Sequence, residues 1–260
     1  MKNEKDVLAG LGEIGLPILN LLSKSQIVVG YDINPKLMDK KKFDKHKDLD
    51  TIFLHVCIPF SDKFQSNVNS LYKQFSPKCI VVHSTTSPYT TKKLQASLKI
   101  PIIYSPIRGV HKRMLSDLKK YTKFFALEKN APKKQWASKT FSTILKKCGV
   151  KTKKMSEPIA LELAKIVVDT SYYGWLINYA QLSNMIAKKH NVDYDEMWSF
   201  ADEIQKYLGN RPKMFPGFIG GHCIIPNLDL ISDKTLDLIK EINLDYSKIL
   251  SKRTRKGKKY

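Results

Sequence analysis

Acidic residues and closely spaced cysteines are what this chain has little of. It sets 24 Asp and Glu against 45 Lys and Arg, a formal net charge of +21. Its 4 cysteines, Cys57, Cys79, Cys148 and Cys223, lie far apart with no Cys-x-x-Cys pair. That spacing excludes the common zinc patterns, so no metal is expected, and it argues against a disulfide framework. Cys57 and Cys79 sit in β-type apolar runs and read as buried, inert thiols, and Cys148, before a glycine, reads as structural. No apolar run reaches the ~18 residues that a membrane-spanning helix needs. Met1 to Asp6 lacks the apolar core of a signal peptide, so a cytoplasmic protein is expected.

The excess lysines are scattered over Lys40–Lys42, Lys119-Lys120, Lys133-Lys134, Lys146-Lys147, Lys153-Lys154 and the tail from Lys252 to Lys259. A field of this sign attracts polyanions and steers anionic small molecules toward the surface. Because the lysines are not gathered on one recognition element, nucleic acid is not expected as the main partner. An anionic small-molecule substrate is.

Along the first half, short apolar runs alternate with helical patterns, which predicts an α/β fold with a doubly wound parallel sheet. Strands are expected at Asp6–Ala9, Gln26–Tyr31, Thr51–Val56, Cys79–His83 and Ile100–Tyr104, then at Lys123–Leu127 and Val150–Lys153 around a helix near 132–147. From Ser156-Glu157-Pro158 an apolar periodicity runs to His190 with one glycine and no further proline, predicting a helix of roughly 30 residues. A second helix is expected from Asp193 to Leu208, and a last one opened by Asn227. The expected organisation is a dinucleotide-binding Rossmann domain at 1–154, an all-helical domain at 155–250 and a basic flexible tail at 251–260.

Gly10-Leu11-Gly12-Glu13-Ile14-Gly15 is a complete Gly-x-Gly-x-x-Gly between a strand and a helix. The first glycine allows a tight turn, the second lets the backbone approach a pyrophosphate, and the third lets helix and strand pack closely. Asp32 ends the second strand, where a carboxylate can accept hydrogen bonds from an adenosine ribose and would repel a 2′-phosphate. This favours NAD over NADP, with Lys36 nearby as the one basic residue that could soften the choice and FAD as the competing dinucleotide.

At the other end lies Pro216-Gly217-Phe218-Ile219-Gly220-Gly221-His222-Cys223. A cysteine at the end of a glycine turn, remote from other cysteines, suggests a nucleophile. His222 reads as a local hydrogen-bonding residue.

Taken in order, Gly10–Gly15 with Asp32, Val56-Cys57-Ile58-Pro59, Ser84-Thr85-Thr86-Ser87-Pro88, Ser105-Pro106, Leu163-Ala164-Lys165 and Pro216–Cys223 resemble the UDP-glucose/GDP-mannose (nucleotide-sugar) dehydrogenase family of the 6-phosphogluconate dehydrogenase-like superfamily. The Gly-Gly-His-Cys wording is nearest the branch acting on N-acetylhexosamine nucleotides. The resemblance implies polysaccharide-precursor chemistry: oxidation of a sugar C6 alcohol to a carboxylate with two NAD, through a thiohemiacetal and a thioester on the cysteine. It assigns the nucleophile to Cys223, with Gly220 and Gly221 beside the substrate. Lys165 then stabilises oxyanion charge or holds water, while Cys57, Pro59, Ser84 and Thr85 lie along the cofactor. A homodimer formed through the long helix is implied as well.

The chain departs from the family at several of these positions. Cys223-Ile224-Ile225-Pro226-Asn227 stands where the family has Cys-x-Pro-Lys-Asp, so Asn227 can orient water but cannot act as a base. Asp169 replaces an asparagine and, at i+4, is expected to pair with Lys165 and to supply the displaced carboxylate. Ile107 replaces a glutamate and is followed by Arg108-Gly109-Val110-His111, where Arg108 and His111 are expected to form an anion-binding surface. The sequence stops where the family's third domain would begin, which implies a smaller substrate or a partner chain completing the pocket. Two other readings remain. One is a dinucleotide-binding regulatory protein without turnover. The other is a single-step hydroxyacid or sugar-acid dehydrogenase in which Lys165 is the base and Cys223 a bystander.

Overall fold

The structure is a computed structural model that describes residues 4–256; His111 and residues 252–256 are described through their backbone alone. The chain divides into two compact units, one ending at Leu163 and one beginning at Ala164.

In the first unit, β1 (Glu4–Ala9), α1 (Gly15–Leu22), β2 (Val28–Tyr31), α2 (Lys40–Lys45), β3 (Asp50–Val56), α3 (Phe64–Phe75), β4 (Cys79–Val82), α4 (Thr90–Ser97) and β5 (Ile102–Tyr104) succeed one another. All five strands pair in parallel, in the order β2-β1-β3-β4-β5. Then come α5 (Met114–Lys120), β6 (Lys123–Phe125), α6 (Lys134–Lys147), β7 (Thr152–Lys154) and α7 (Pro158–Leu163). β6 and β7 form a small parallel pair, joined to the end of β5 by an antiparallel bridge between Tyr104 and Ala126.

The strands are apolar on both sides, as a sheet covered on two faces requires. Successive residues of β1 serve opposite cores. Leu8 packs in one cluster with Ile18, Leu21 and Leu22 of α1, Leu118 of α5 and Phe141 and Leu145 of α6. Val7 and Ala9 pack in the other with Phe64, Val68 and Leu71 of α3, Leu94 of α4 and Leu161 of α7. Because Leu161 is anchored in that core, α7 belongs to the first unit, which therefore reaches nine residues beyond the expected boundary at 154.

The second unit opens with a π-helix, Ala164–Ser171, which runs directly into α8 (Tyr172–Lys189). The periodicity predicts one unbroken α-helix from Pro158 onward. The wider turns fall on the β-branched residues Ile166, Val167, Val168 and Thr170, which crowd an α-helix most. α9 (Tyr194–Ser199), α10 (Asp202–Leu208), α11 (Ile225–Leu228) and α12 (Lys234–Lys256) follow.

Asp193 caps α9, accepting from the N–H groups of Asp195 and Glu196 at 2.9 and 2.8 Å. The helix expected over 193–208 is broken at Phe200-Ala201. Asn227 lies inside the short α11, and the last helix starts later, with Asp233 accepting from the Thr235 N–H at 2.7 Å. Of the basic tail expected at 251–260, residues 251–256 continue α12, and 257–260 lie outside the described residues. Ile219, Leu228, Leu236 and Ile239 form this unit's core.

Candidate functional site

β1 lies between β2 and β3, so the order in which successive strands are added to the sheet reverses beside β1, at its carboxyl end. In open α/β sheets a ligand crevice forms at this switch point, and Gly10–Gly15 occupies it. Gly10 adopts φ +93°, and a Cβ there would meet the Cys57 carbonyl at 2.8 Å. A Cβ on Gly15 would lie 1.7 Å from the Gly10 oxygen. These two glycines are therefore demanded by the fold itself. Gly12 is different: it is exposed, and a Cβ there would meet nothing within 4 Å. Its bareness serves no packing purpose and leaves room for a group from outside.

Several bonds hold this turn. Asp32 accepts from the Leu11 N–H at 2.7 Å and from the Asn34 N–H at 2.8 Å, so its carboxylate bridges β2 to the glycine turn. Lys36 is exposed on the following short turn. Glu13 is exposed and Ile14 half-buried at the start of α1, which has no side-chain cap and no acidic residue in its first turn. The N-terminal end of that helix favours negative charge.

The neighbouring loops are tied to one another at the same end of the sheet. The Cys57 N–H donates to Ala9 at 2.8 Å, the His83 N–H to Val56 at 2.9 Å, and the Ser84 hydroxyl to the Ile58 carbonyl at 2.6 Å. Pro59 is exposed; Ser84 and Thr85 are half-buried. Cys57 lends the turn its backbone and keeps its sulfur inert, since burial pushes the thiol up to about 12 against an opposing pull from Lys123.

Beneath these loops lies a buried polar chain. Asp6 faces His55 Nε2 at 3.3 Å, His55 Nδ1 faces His83 Nε2 at 3.0 Å, and His83 Nδ1 faces the Ser105 carbonyl at 3.1 Å. Burial, with Lys123 and His55 adding to it, holds His83 well below the usual imidazole range. The Lys123 ammonium is itself buried and donates to the carbonyls of Ser105 and Pro106. Arg108 is exposed but engaged: it donates to the Thr122 carbonyl at 2.8 Å and stacks over the Phe124 ring at 4.9 Å. His111 opens a short 3-10 turn that ends at Arg113.

In the second unit, Lys165 and Asp169 form an ion pair at 2.5 Å along the π-helix, with Lys165 the more buried partner. Cys223 and His222 are exposed, as are Gly220 and Gly221 before them. The Asn227 amide donates to the Cys223 carbonyl at 2.6 Å, so its side chain braces the cysteine's backbone.

A buried amide network anchors the same loop. Gln181 of α8 donates to the Gly217 carbonyl at 2.6 Å and to Asn243 of α12 at 3.0 Å. Asn243 accepts from the Ile219 N–H at 2.8 Å and returns a bond to its carbonyl at 3.0 Å. Asn178 completes the network by donating to Gln181 at 2.8 Å. These three residues are absent from the sequence reading. The signal available was three carboxamides on otherwise apolar helical faces, with nothing to say which loop they met. Among the described residues no cluster of three or more His, Cys, Asp or Glu could hold a metal ion, and no helix is long and apolar enough to cross a membrane.

No protein-family model and no curated protein sequence matches this chain. Its fold nevertheless matches solved structures over almost its full length. UDP-D-ManNAc dehydrogenase from Pyrococcus horikoshii aligns with a TM-score of 0.78 at 16% identity, covering 95% of this chain and 70% of that one. UDP-N-acetyl-mannosamine dehydrogenase from Staphylococcus aureus gives 0.74 at 18% identity, covering 97% and 70%. 3-Hydroxyisobutyrate dehydrogenase from Mycobacterium tuberculosis gives 0.65 at 16% identity, covering 96% and 94%.

Proposed function

We propose that the protein is an NAD-dependent dehydrogenase acting on the CH–OH group of a sugar nucleotide or related anionic sugar. The reading is supported by its Rossmann sheet and following helical unit, whose fold matches solved UDP-sugar dehydrogenases. The observation that carries the reading is Gly12: an open, side-chain-free position at the sheet's switch point, framed by two glycines the fold requires. Gly10–Gly15 would receive the pyrophosphate, Asp32 the adenosine ribose, and the loops at Cys57–Pro59 and Ser84-Thr85 the remainder of the dinucleotide. The cofactor, when bound, supplies the hydride acceptor.

The chain's own chemistry lies in the second unit. Cys223, exposed at the end of an anchored loop, would add its sulfur to a carbonyl carbon. Lys165 would place its ammonium on the developing oxyanion, with Asp169 orienting it through their ion pair. Asn227 would hold the loop rather than move a proton. Arg108 and His111 are the proposed anion contacts.

A homodimer belongs to the reading. Tyr172, Tyr179, Leu182 and Ile186 are exposed along α8 with Trp175 half-buried among them, at the alternating spacing of three and four that packs helix on helix.

The test is a panel of sugar nucleotides with NADH formation followed by absorbance and Cys223 by mass spectrometry. Cys223→Ser should stall after one hydride per substrate or trap an adduct. A second reading has its own support, because the match to the hydroxyisobutyrate dehydrogenase spans nearly all of both chains. In that case Lys165 is the base of a single oxidation, so Cys223→Ser keeps activity and Lys165→Ala loses it. Absence of NADH with every sugar nucleotide and hydroxyacid tried would leave only a dinucleotide-binding protein.

A further inference from the structure

Glu162 on α7 is 0% exposed, a carboxylate set among apolar helix positions. Its Oε2 accepts from the Tyr89 N–H at 2.7 Å, and its Oε1 from the Thr91 N–H at 2.9 Å and the Thr91 hydroxyl at 2.7 Å. Burial pushes its pKa upward, and these three donors act against that by favouring the anion. α4 has no side-chain cap of its own and no acidic residue in its first turn. Glu162 therefore provides from another helix what a local cap would provide.

Tyr89, the residue that precedes α4, sits at φ +66°, a left-handed conformation that a residue with a side chain keeps only when its surroundings hold it there. The residue is 55% exposed, so packing holds it weakly. At the other end of the same loop, the Ser84 hydroxyl is fastened to Ile58, and bonds between Ser87 and Thr90 close the turn. Thr85 lies between the two anchors.

We propose that Glu162 is a positioning residue: it holds Tyr89 in the left-handed conformation and so fixes the Ser84–Tyr89 loop in the shape that receives the dinucleotide. The proposal rests on the cofactor reading above. Glu162 itself touches neither cofactor nor substrate.

The experiment is an NAD titration by calorimetry of the wild type, Glu162→Gln, Thr91→Val, Tyr89→Gly and the Glu162→Gln/Tyr89→Gly double variant. Amide hydrogen exchange of residues 85–91 is read alongside. Glu162→Gln should weaken NAD binding about tenfold, the scale of one buried charged hydrogen bond, and speed exchange at Tyr89 and Thr91. Thr91→Val should fall between it and the wild type, and carries the test if Glu162→Gln does not fold. A glycine at position 89 reaches positive φ without strain, so the loss caused by Glu162→Gln should shrink in the Tyr89→Gly background. Unchanged NAD affinity overturns the proposal, and so does a loss equal in both backgrounds, which would mark Glu162 as scaffold alone. A wild type that binds no NAD sinks the cofactor reading instead; exchange at Tyr89 and Thr91 in Glu162→Gln then decides whether Glu162 holds the loop.

Discussion

Single side chains here owe their chemistry to where burial puts them. Burial holds the thiols of Cys57, half-buried in the loop after β3, and Cys79, buried in β4, in their neutral form, whereas Cys223 is exposed. Iodoacetamide at pH 8 should therefore modify Cys223 in the folded protein and leave Cys57 and Cys79 intact, as peptide mass mapping would show.

His83 makes a second prediction. Its folded imidazole resists protonation, while in the unfolded chain it titrates near 6.5. As pH falls below that value the unfolded state takes up a proton that the native state refuses, so stability is lost toward acid. Urea midpoints measured from pH 7.5 to 5.5 should fall, and His83→Gln should reduce the slope by up to about 1.4 kcal/mol per pH unit. An unchanged slope would mean that His83 is protonated in the fold.

At the scale of elements, the three glycines of the first turn answer to different forces. Gly15→Ala drives a methyl into the Gly10 oxygen and should destabilise by about 1–3 kcal/mol, with or without ligand. Gly12→Ala meets open space, so its melting temperature should match the wild type's while the shift caused by NAD disappears. A Gly12→Ala variant that still responded to NAD would refute the placement of the dinucleotide. In the second unit, Gln181→Ala removes a bridge between α8, α12 and the loop leading to Cys223. The partners left buried should cost about 1–3 kcal/mol, and the loop's amides should exchange faster.

For the whole molecule, the preference for NAD over NADP should follow Asp32, and NAD should raise the melting temperature more than NADP does. Asp32→Asn should narrow that gap. Because Asp32 also holds the Leu11 and Asn34 N–H groups, the variant should lose some unliganded stability too. Light scattering at micromolar concentration should give a dimer, and Tyr179→Glu with Ile186→Glu on the exposed α8 stripe should yield a monomer.

The alternation of apolar runs and helical periods, read residue by residue, was enough to place β1 to β7 to within a few positions, because strand burial on two faces and helix amphipathicity are local signals. The turn at Gly10–Gly15 and the i+4 partnership of Lys165 with Asp169 were legible for the same reason, since spacing alone brings those groups together. What spacing could not reveal were meetings between residues far apart in the chain. Glu162 meets Tyr89 and Thr91 across more than 70 positions, and Gln181 meets Asn243 across 62. The sequence also could not place the π-helical turns within the long helix, where β-branched crowding competes with backbone hydrogen bonding. A chain's periodicity dictates its elements because each residue's environment repeats with its neighbours'. Which buried polar group finds which partner is decided only when the packed elements leave it one place to go.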